Sequence, residues 1–208
     1  MDSRHNMKNN TAVLAPDDAI RELKDGNNRF LQSRSTRKHM DLQRVMETSS
    51  SRSPRAVILT CSDSRVSPEI IFDLGIGDLY VVRNAGNVTD TLVIATLEYA
   101  ITCKQAPVVV ILGHTRCGAI NAALAGENMG GSIGEILTKV QPSVDTVRSS
   151  EKKYEGERLV TEAVSLNVIN SILCITRESK LICEAINNRT IKIIGAVYDV
   201  TNGKVTWL

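Results

Sequence analysis

Two stretches decide how this chain reads: Ala56-Val57-Ile58-Leu59-Thr60-Cys61-Ser62-Asp63-Ser64-Arg65 and Val108-Val109-Val110-Ile111-Leu112-Gly113-His114-Thr115-Arg116-Cys117-Gly118. Each begins with a short unbroken apolar run, the pattern of a strand buried on both faces. Each run stops at a thiol or an imidazole and is followed by a helical pattern. If the runs are neighbouring parallel strands, Cys61, His114 and Cys117 converge at the carboxyl edge of one sheet. Two sulfurs and one nitrogen are the ligand set of a catalytic zinc with one position left open. Taken singly, a cysteine at a strand end is more often a small core residue, and a lone histidine is more often structural. The spacing His114-x-x-Cys117 after a strand, with Cys61 at another strand end, is what points to a metal. Cys103, Cys174 and Cys183 sit in apolar helical contexts and are assigned to packing.

Outward from these stretches, helical patterns over residues 68–72, 91–101, 119–124, 136–147, 159–176 and 180–186 alternate with strand patterns over 79–82 and 191–198. Asn84-Ala85-Gly86-Asn87 reads as a turn, 126–134 as a flexible segment, and Asn202-Gly203 as a hairpin turn that returns the chain over 205–207. Strands alternating with helices predict an α/β fold, a mainly parallel central sheet flanked by helices, with a C-terminal β-hairpin. In such sheets ligands bind at the carboxyl ends of strands. At the other end of the chain, residues 1–15 read as flexible. Pro16-Asp17-Asp18 opens a helix with acidic residues at its positive end, Gly26 marks a stop, and the helical pattern resumes over 27–31. The Ser/Arg/Lys-rich stretch 32–55 reads as a linker or a loosely packed helix. The whole is one domain over 1–208, with 16–50 as an N-terminal helical arm.

Bulk properties narrow the function classes. A net charge of +2 leaves no electrostatic footprint for nucleic acid or an anionic membrane. No unbroken apolar run approaches the ~20 residues of a membrane span, and the polar N-terminus lacks a signal-peptide centre, so the expected location is cytoplasmic. Five widely spread cysteines are an odd number, which suits a reducing compartment better than a disulfide framework.

Asp63 and Arg65 stand beside the first thiol. Their plain reading is a surface ion pair worth little. Two residues apart, they also suit a bidentate arginine–carboxylate pair facing a metal. There the carboxylate would orient a bound hydroxide or take the fourth ligand position itself, closing the site. Arg65 would decide between the two by holding Asp63 away.

At this point a family resemblance enters. Cys61-Ser62-Asp63-Ser64-Arg65-Val66, the run from Gly77 through Tyr80 and Arg83 to Asn87, Leu97-Glu98-Tyr99-Ala100 and Gly113-His114-Thr115-Arg116-Cys117-Gly118-Ala119 resemble the signatures of the β-class carbonic anhydrases. Gly26 to Phe30 is similar to that family's N-terminal helix, and Gly195 through Trp207 to its closing strands. The resemblance implies reversible hydration of CO2 to bicarbonate by a zinc-bound hydroxide, with one Zn2+ per chain on Cys61, His114 and Cys117. It implies Asp63 and Arg65 as the catalytic dyad, with Asp63 a ligand only in a closed state. It also implies a homodimer or higher homo-oligomer whose cleft lies between subunits. Val66, Tyr80, Ala85, Tyr99 and Gly118 would then line the substrate site, although core packing is the plain alternative for both tyrosines.

Two positions depart from that pattern. Counting without gaps from Cys61 back through Pro54, the family's substrate-binding glutamine is Arg52 here, which brings a full charge and a longer stem to the same task. Ile58 stands where the subgroup inhibited by bicarbonate carries a tryptophan, so that inhibitory pocket is not expected. The alternatives carried forward are a CS2 or COS hydrolase on the same scaffold and a low-activity zinc-binding relative with a sensing role. A nucleotide-binding reading lacks a glycine-rich phosphate loop after the first strand.

Overall fold

A computed structural model of the chain describes residues 14–50, 53–127 and 129–208. The expectation of a flexible start therefore falls almost wholly outside the described residues, as does Arg52. The helices are α1 (Pro16–Leu31), α2 (Leu42–Thr48), α3 (Pro68–Ile71), α4 (Thr91–Cys103), α5 (Gly118–Ala125), α6 (Ile133–Ser149), α7 (Gly156–Glu178) and α8 (Lys180–Asn187). The strands β1 (Ala56–Cys61), β2 (Leu79–Asn84), β3 (Val108–His114), β4 (Lys192–Tyr198) and β5 (Val205–Trp207) form one sheet in the order β2-β1-β3-β4-β5. The first four run parallel and β5 returns antiparallel through the predicted hairpin. The α/β reading holds.

Every residue of β1 and β3 is buried, which explains why both read as unbroken apolar runs. Their alternate side chains feed opposite faces. Ala56, Ile58, Val108, Val110 and Leu112 pack with Leu23 of α1 and with Ile71 and Phe72. Val57, Leu59, Val109 and Ile111 pack with α4, α7 and α8 through Leu97, Val168, Ile175 and Ile182. Each such side chain contributes about 1.5–3 kcal/mol by leaving water. A third cluster, joining α5, α6 and α7, closes the carboxyl end of the sheet around Cys61 and Cys117. β1 leads to β2 on one side and β3 leads to β4 on the other. The crevice that an open parallel sheet offers to ligands therefore opens between β1 and β3.

Three expectations need correction. Gly26 does not stop the first helix: α1 continues through it to Leu31. The glycine is there because a Cβ would lie 1.8 Å from the Phe72 carbonyl oxygen, so only a bare backbone lets α1 sit this close to the body. The described part of the stretch read as a linker is not loose. It contains α2 and is tied down by two buried carboxylates: Asp73 accepts from Arg29 and Thr36, and Asp78 pairs with His39 and Arg44. Cys103 is not packed away but exposed at the end of α4, while Cys174 and Cys183 are half-buried. In addition, α7 is long and apolar enough by composition to cross a membrane. Its Val164, Val168 and Ile175 are nevertheless buried in the core, and Asn167 and Ser171 hydrogen-bond there, as befits a helix packed on a sheet.

Candidate metal centre

The parallel register pairs Thr60 of β1 with Leu112 of β3, so Cys61 and His114 both emerge at the carboxyl edge of adjacent strands. Past β3 the chain makes a tight loop. The Thr115 N–H donates to the Tyr198 carbonyl at 2.9 Å, and its hydroxyl donates to Asp199 at 3.2 Å. Arg116 takes a left-handed φ of +57°. The loop then delivers Cys117 as the residue that starts α5. Cys61, His114 and Cys117 are all buried, and one ligand atom from each lies within 4.8 Å of the others.

The donor set fits a divalent cation on the chemistry of its own atoms. His114 Nδ1 sits 2.9 Å from the Thr115 carbonyl, which can only accept, so Nδ1 carries the proton and Nε2 keeps its lone pair. That Nε2 is buried without a hydrogen-bond partner, a costly arrangement unless something electrophilic meets it. The thiols complement it. Hydrogen bonding from Cys117, resisted by burial but helped by the Gly86 N–H, lowers the Cys61 thiol to about 4. The same pairing and burial push the Cys117 thiol up. Two thiolates this close repel each other, and a divalent cation removes that repulsion. The residues present therefore suit zinc.

Beside them, Arg65 grips Asp63 in a fork: Nε donates to Oδ1 at 2.9 Å and a terminal N–H to Oδ2 at 2.7 Å, while the Arg65 backbone N–H reaches Oδ1 at 2.9 Å. The guanidinium, against partial burial, holds the Asp63 carboxyl far below the usual carboxylate range. Asp63 Oδ2 lies 4.0 Å from His114 Nε2. The carboxylate thus borders the three donor atoms while bound to Arg65. Val66 closes this loop with an N–H to the Asp63 carbonyl at 3.0 Å and is itself buried in the sheet core.

The remaining candidates are spread out. Ala85 is half-buried at the start of a short 3-10 turn (Ala85–Asn87). Gly118 faces open space, with nothing within 4 Å of where a Cβ would stand. Tyr80 is level with Val57, four residues along β1 from Cys61, and its ring meets that of the exposed Tyr99 at 6.4 Å. Within one chain the two tyrosines form a pair on the sheet edge. Sequence reading assigned no role to Arg83, which donates to the Cys61 and Asp63 carbonyls at 3.2 and 2.8 Å, or to Gly86, whose N–H donates to Cys61 Sγ at 3.4 Å. An arginine within an otherwise apolar strand is the signal that could have marked the first.

Comparison with known proteins agrees with this geometry. Residues 56–205 match the family model for carbonic anhydrase. Carbonic anhydrase 2 of Mycobacterium tuberculosis is 37% identical over 190 residues, covering 89% of each chain. The carbonic anhydrase of Mycolicibacterium smegmatis is 35% identical over 191 residues, covering 90% of each. Among solved structures, the β-carbonic anhydrase CafA of Aspergillus fumigatus superposes with a TM-score of 0.75 at 26% identity, over 87% of this chain and 86% of that one. A tetrameric β-carbonic anhydrase of Sordaria macrospora shares the fold at a TM-score of 0.71 and 23% identity, over 92% of this chain and 97% of that one. With a family match across most of its length and relatives that span nine-tenths of it, the chain belongs to the carbonic anhydrase family, in its β class.

Proposed function

We propose that this protein interconverts CO2 and bicarbonate at a zinc ion held by Cys61 Sγ, His114 Nε2 and Cys117 Sγ. The observation that carries the proposal is the buried, partnerless imidazole nitrogen clustered with two thiols. Zinc, when bound, is a Lewis acid that brings the pKa of a coordinated water toward neutrality. The chain's own residues do the rest. Asp63 Oδ2, kept ionised by Arg65, would accept a hydrogen bond from an oxygen nucleophile at the site and so aim its lone pair. The Arg65 fork also keeps Asp63 from turning inward as a fourth ligand. Arg83 fixes the backbone on which both Cys61 and Asp63 ride. Gly118 leaves room beside Cys117, and Ala85 adds an apolar edge, suited to a substrate that offers little to hydrogen-bond.

We further propose that the working unit is a homodimer or a larger assembly of dimers. Three observations support this: β2 is an edge strand, a groove of about 530 Å³ runs along it past Tyr80, Val82 and Thr96, and Leu92 and Tyr99 of α4 stand exposed nearby. An apolar surface beside an unpaired strand edge favours association. Tyr80 and Tyr99 of one copy would then reach the cleft of the other. A cytoplasmic location suits the five free cysteines.

Stopped-flow CO2 hydration tests the main proposal. Zinc-loaded protein should accelerate hydration across neutral to mildly alkaline pH, and the metal-free protein should not. The absence of a zinc-dependent rate above buffer would refute it.

A further inference from the structure

Gly86 sits where the turn after β2 meets the thiols. Its N–H donates to Cys61 Sγ. Its φ of +73° belongs to the left-handed region that glycine tolerates, and an added Cβ would lie 3.1 Å from that of Ala119. What holds Gly86 in place arrives from behind, on α7. Asn167, only 4% exposed, donates from Nδ2 to the Gly86 carbonyl at 2.9 Å. One turn later Ser171 Oγ bonds the Asn167 carbonyl at 2.8 Å and lies 3.4 Å from the Asn87 carbonyl. An amide buried in a helix face that packs Val164 and Val168 into the core needs a partner to offset its lost hydration. Asn167 finds that partner in a residue whose N–H donates to the Cys61 sulfur.

We infer that Asn167 is a positioning residue for the metal centre: by holding the Gly86 carbonyl, on the peptide next to the one that carries the Gly86 N–H, it fixes Gly86 and so the N–H···S hydrogen bond to Cys61, and with it how firmly that sulfur binds zinc. The inference rests on the zinc reading above and adds to it a residue that touches none of the three ligands. Its action is confined to one ligand, because His114 is oriented by the Thr115 carbonyl and Cys117 by its place at the start of α5. Outer partners that orient metal ligands typically change metal affinity 10- to 100-fold when removed.

The test compares Asn167→Ala with Asn170→Ala. Asn170 lies on the same helix and also donates a side-chain hydrogen bond, to Ser143 Oγ at 2.9 Å rather than to Gly86. Zinc affinity is read by chelator competition, and the sulfur-to-metal charge-transfer band by absorption after cobalt(II) replaces zinc. Asn167→Ala should weaken zinc binding on the order of 10-fold or more and shift the cobalt band; Asn170→Ala should leave both as in the wild type. Equal changes in the two variants, or none in Asn167→Ala, overturn the inference. If Asn167→Ala does not fold, Asn167→Ser, whose hydroxyl is too short to replace the amide, is judged by the same two readouts. A wild type that takes up no zinc overturns the zinc reading together with this inference. A zinc-binding wild type with an indifferent Asn167→Ala overturns the inference alone.

Discussion

Replacing Asp73 by asparagine should destabilise the fold by about 2 kcal/mol at neutral pH, by loosening the arm from the body. The Asp73 side chain has no exposed surface and accepts from Arg29 Nε at 2.6 Å, from the Thr36 N–H at 2.7 Å and from the Arg37 N–H at 3.3 Å. Asparagine keeps the shape and tolerates the φ of +49° found there. It also has one oxygen fewer, and whichever way the amide turns, an N–H faces another donor. A hydrogen bond to a charged group is worth about 1.5–3 kcal/mol. The lower half of that range applies, because Arg29 is 35% exposed and regains water. Burial works against ionisation of Asp73, but Arg29, Thr36 and Arg37 together outweigh it and hold the carboxyl below its ordinary value. A depressed pKa gives stability that is fully present above the unfolded-state value, near 4, and lost as pH falls through the folded one. The gap between wild type and Asp73→Asn should therefore narrow in acid. Urea unfolding at fixed protein and zinc concentrations measures it at each pH. A loss under about 0.5 kcal/mol at neutral pH, or a gap that widens in acid, refutes the reasoning.

Four further outcomes can be checked. Cys117→Ala should abolish zinc binding and CO2 hydration, and the zinc-dependent rise in Tm should vanish with them; a variant that still binds stoichiometric zinc contradicts the ligand set. Asp63→Ala should keep its zinc while kcat falls by about 10²- to 10⁴-fold, the usual range for a positioned proton acceptor; unchanged turnover removes Asp63 from the mechanism. Gly113→Ala would place a Cβ 2.8 Å from side-chain carbons of both Val164 and Val168. Overpacking of this kind should cost about 1–3 kcal/mol, part of it restored by adding Val164→Ala; a simple sum of the two losses would argue against the clash. In metal-free protein, thiolate absorbance should persist as pH is lowered and disappear only through about 4, where Cys61 protonates. Disappearance near the ordinary thiol range would show that the two sulfurs do not share their proton as described.

The parts of the fold that were legible share a physical reason. β1 and β3 are buried on both faces, so their run of consecutive apolar residues could be seen without knowing any neighbour. Asn202-Gly203 announced the hairpin because Gly203 takes a left-handed φ of +82° that glycine adopts without strain. The candidate ligands could be named because Cys61 and His114 each end such a run and Cys117 follows His114 by three residues. The misread parts depend on distant partners. Gly26 reads locally as a helix breaker, yet what selects it is the Phe72 carbonyl that leaves no room for a Cβ. The arm looked loose because its anchors, Asp73 and Asp78, lie some forty residues away in the chain. Asn167 looks like one polar residue in a long helix until Gly86 is placed beside it.

Taken by itself, the order of residues determined the class of fold, the three candidate metal ligands and the acid–arginine pair, since each rests on a local pattern: an apolar run and what ends it, or residues two or three apart. Tertiary structure decided the rest: that His114 presents Nε2 rather than Nδ1, that Asp63 is gripped by Arg65 at the border of the site, and which backbone peptide reaches the Cys61 sulfur. Those outcomes depend on which partner lies within hydrogen-bonding distance, and only the packing of strands against helices brings such partners that close.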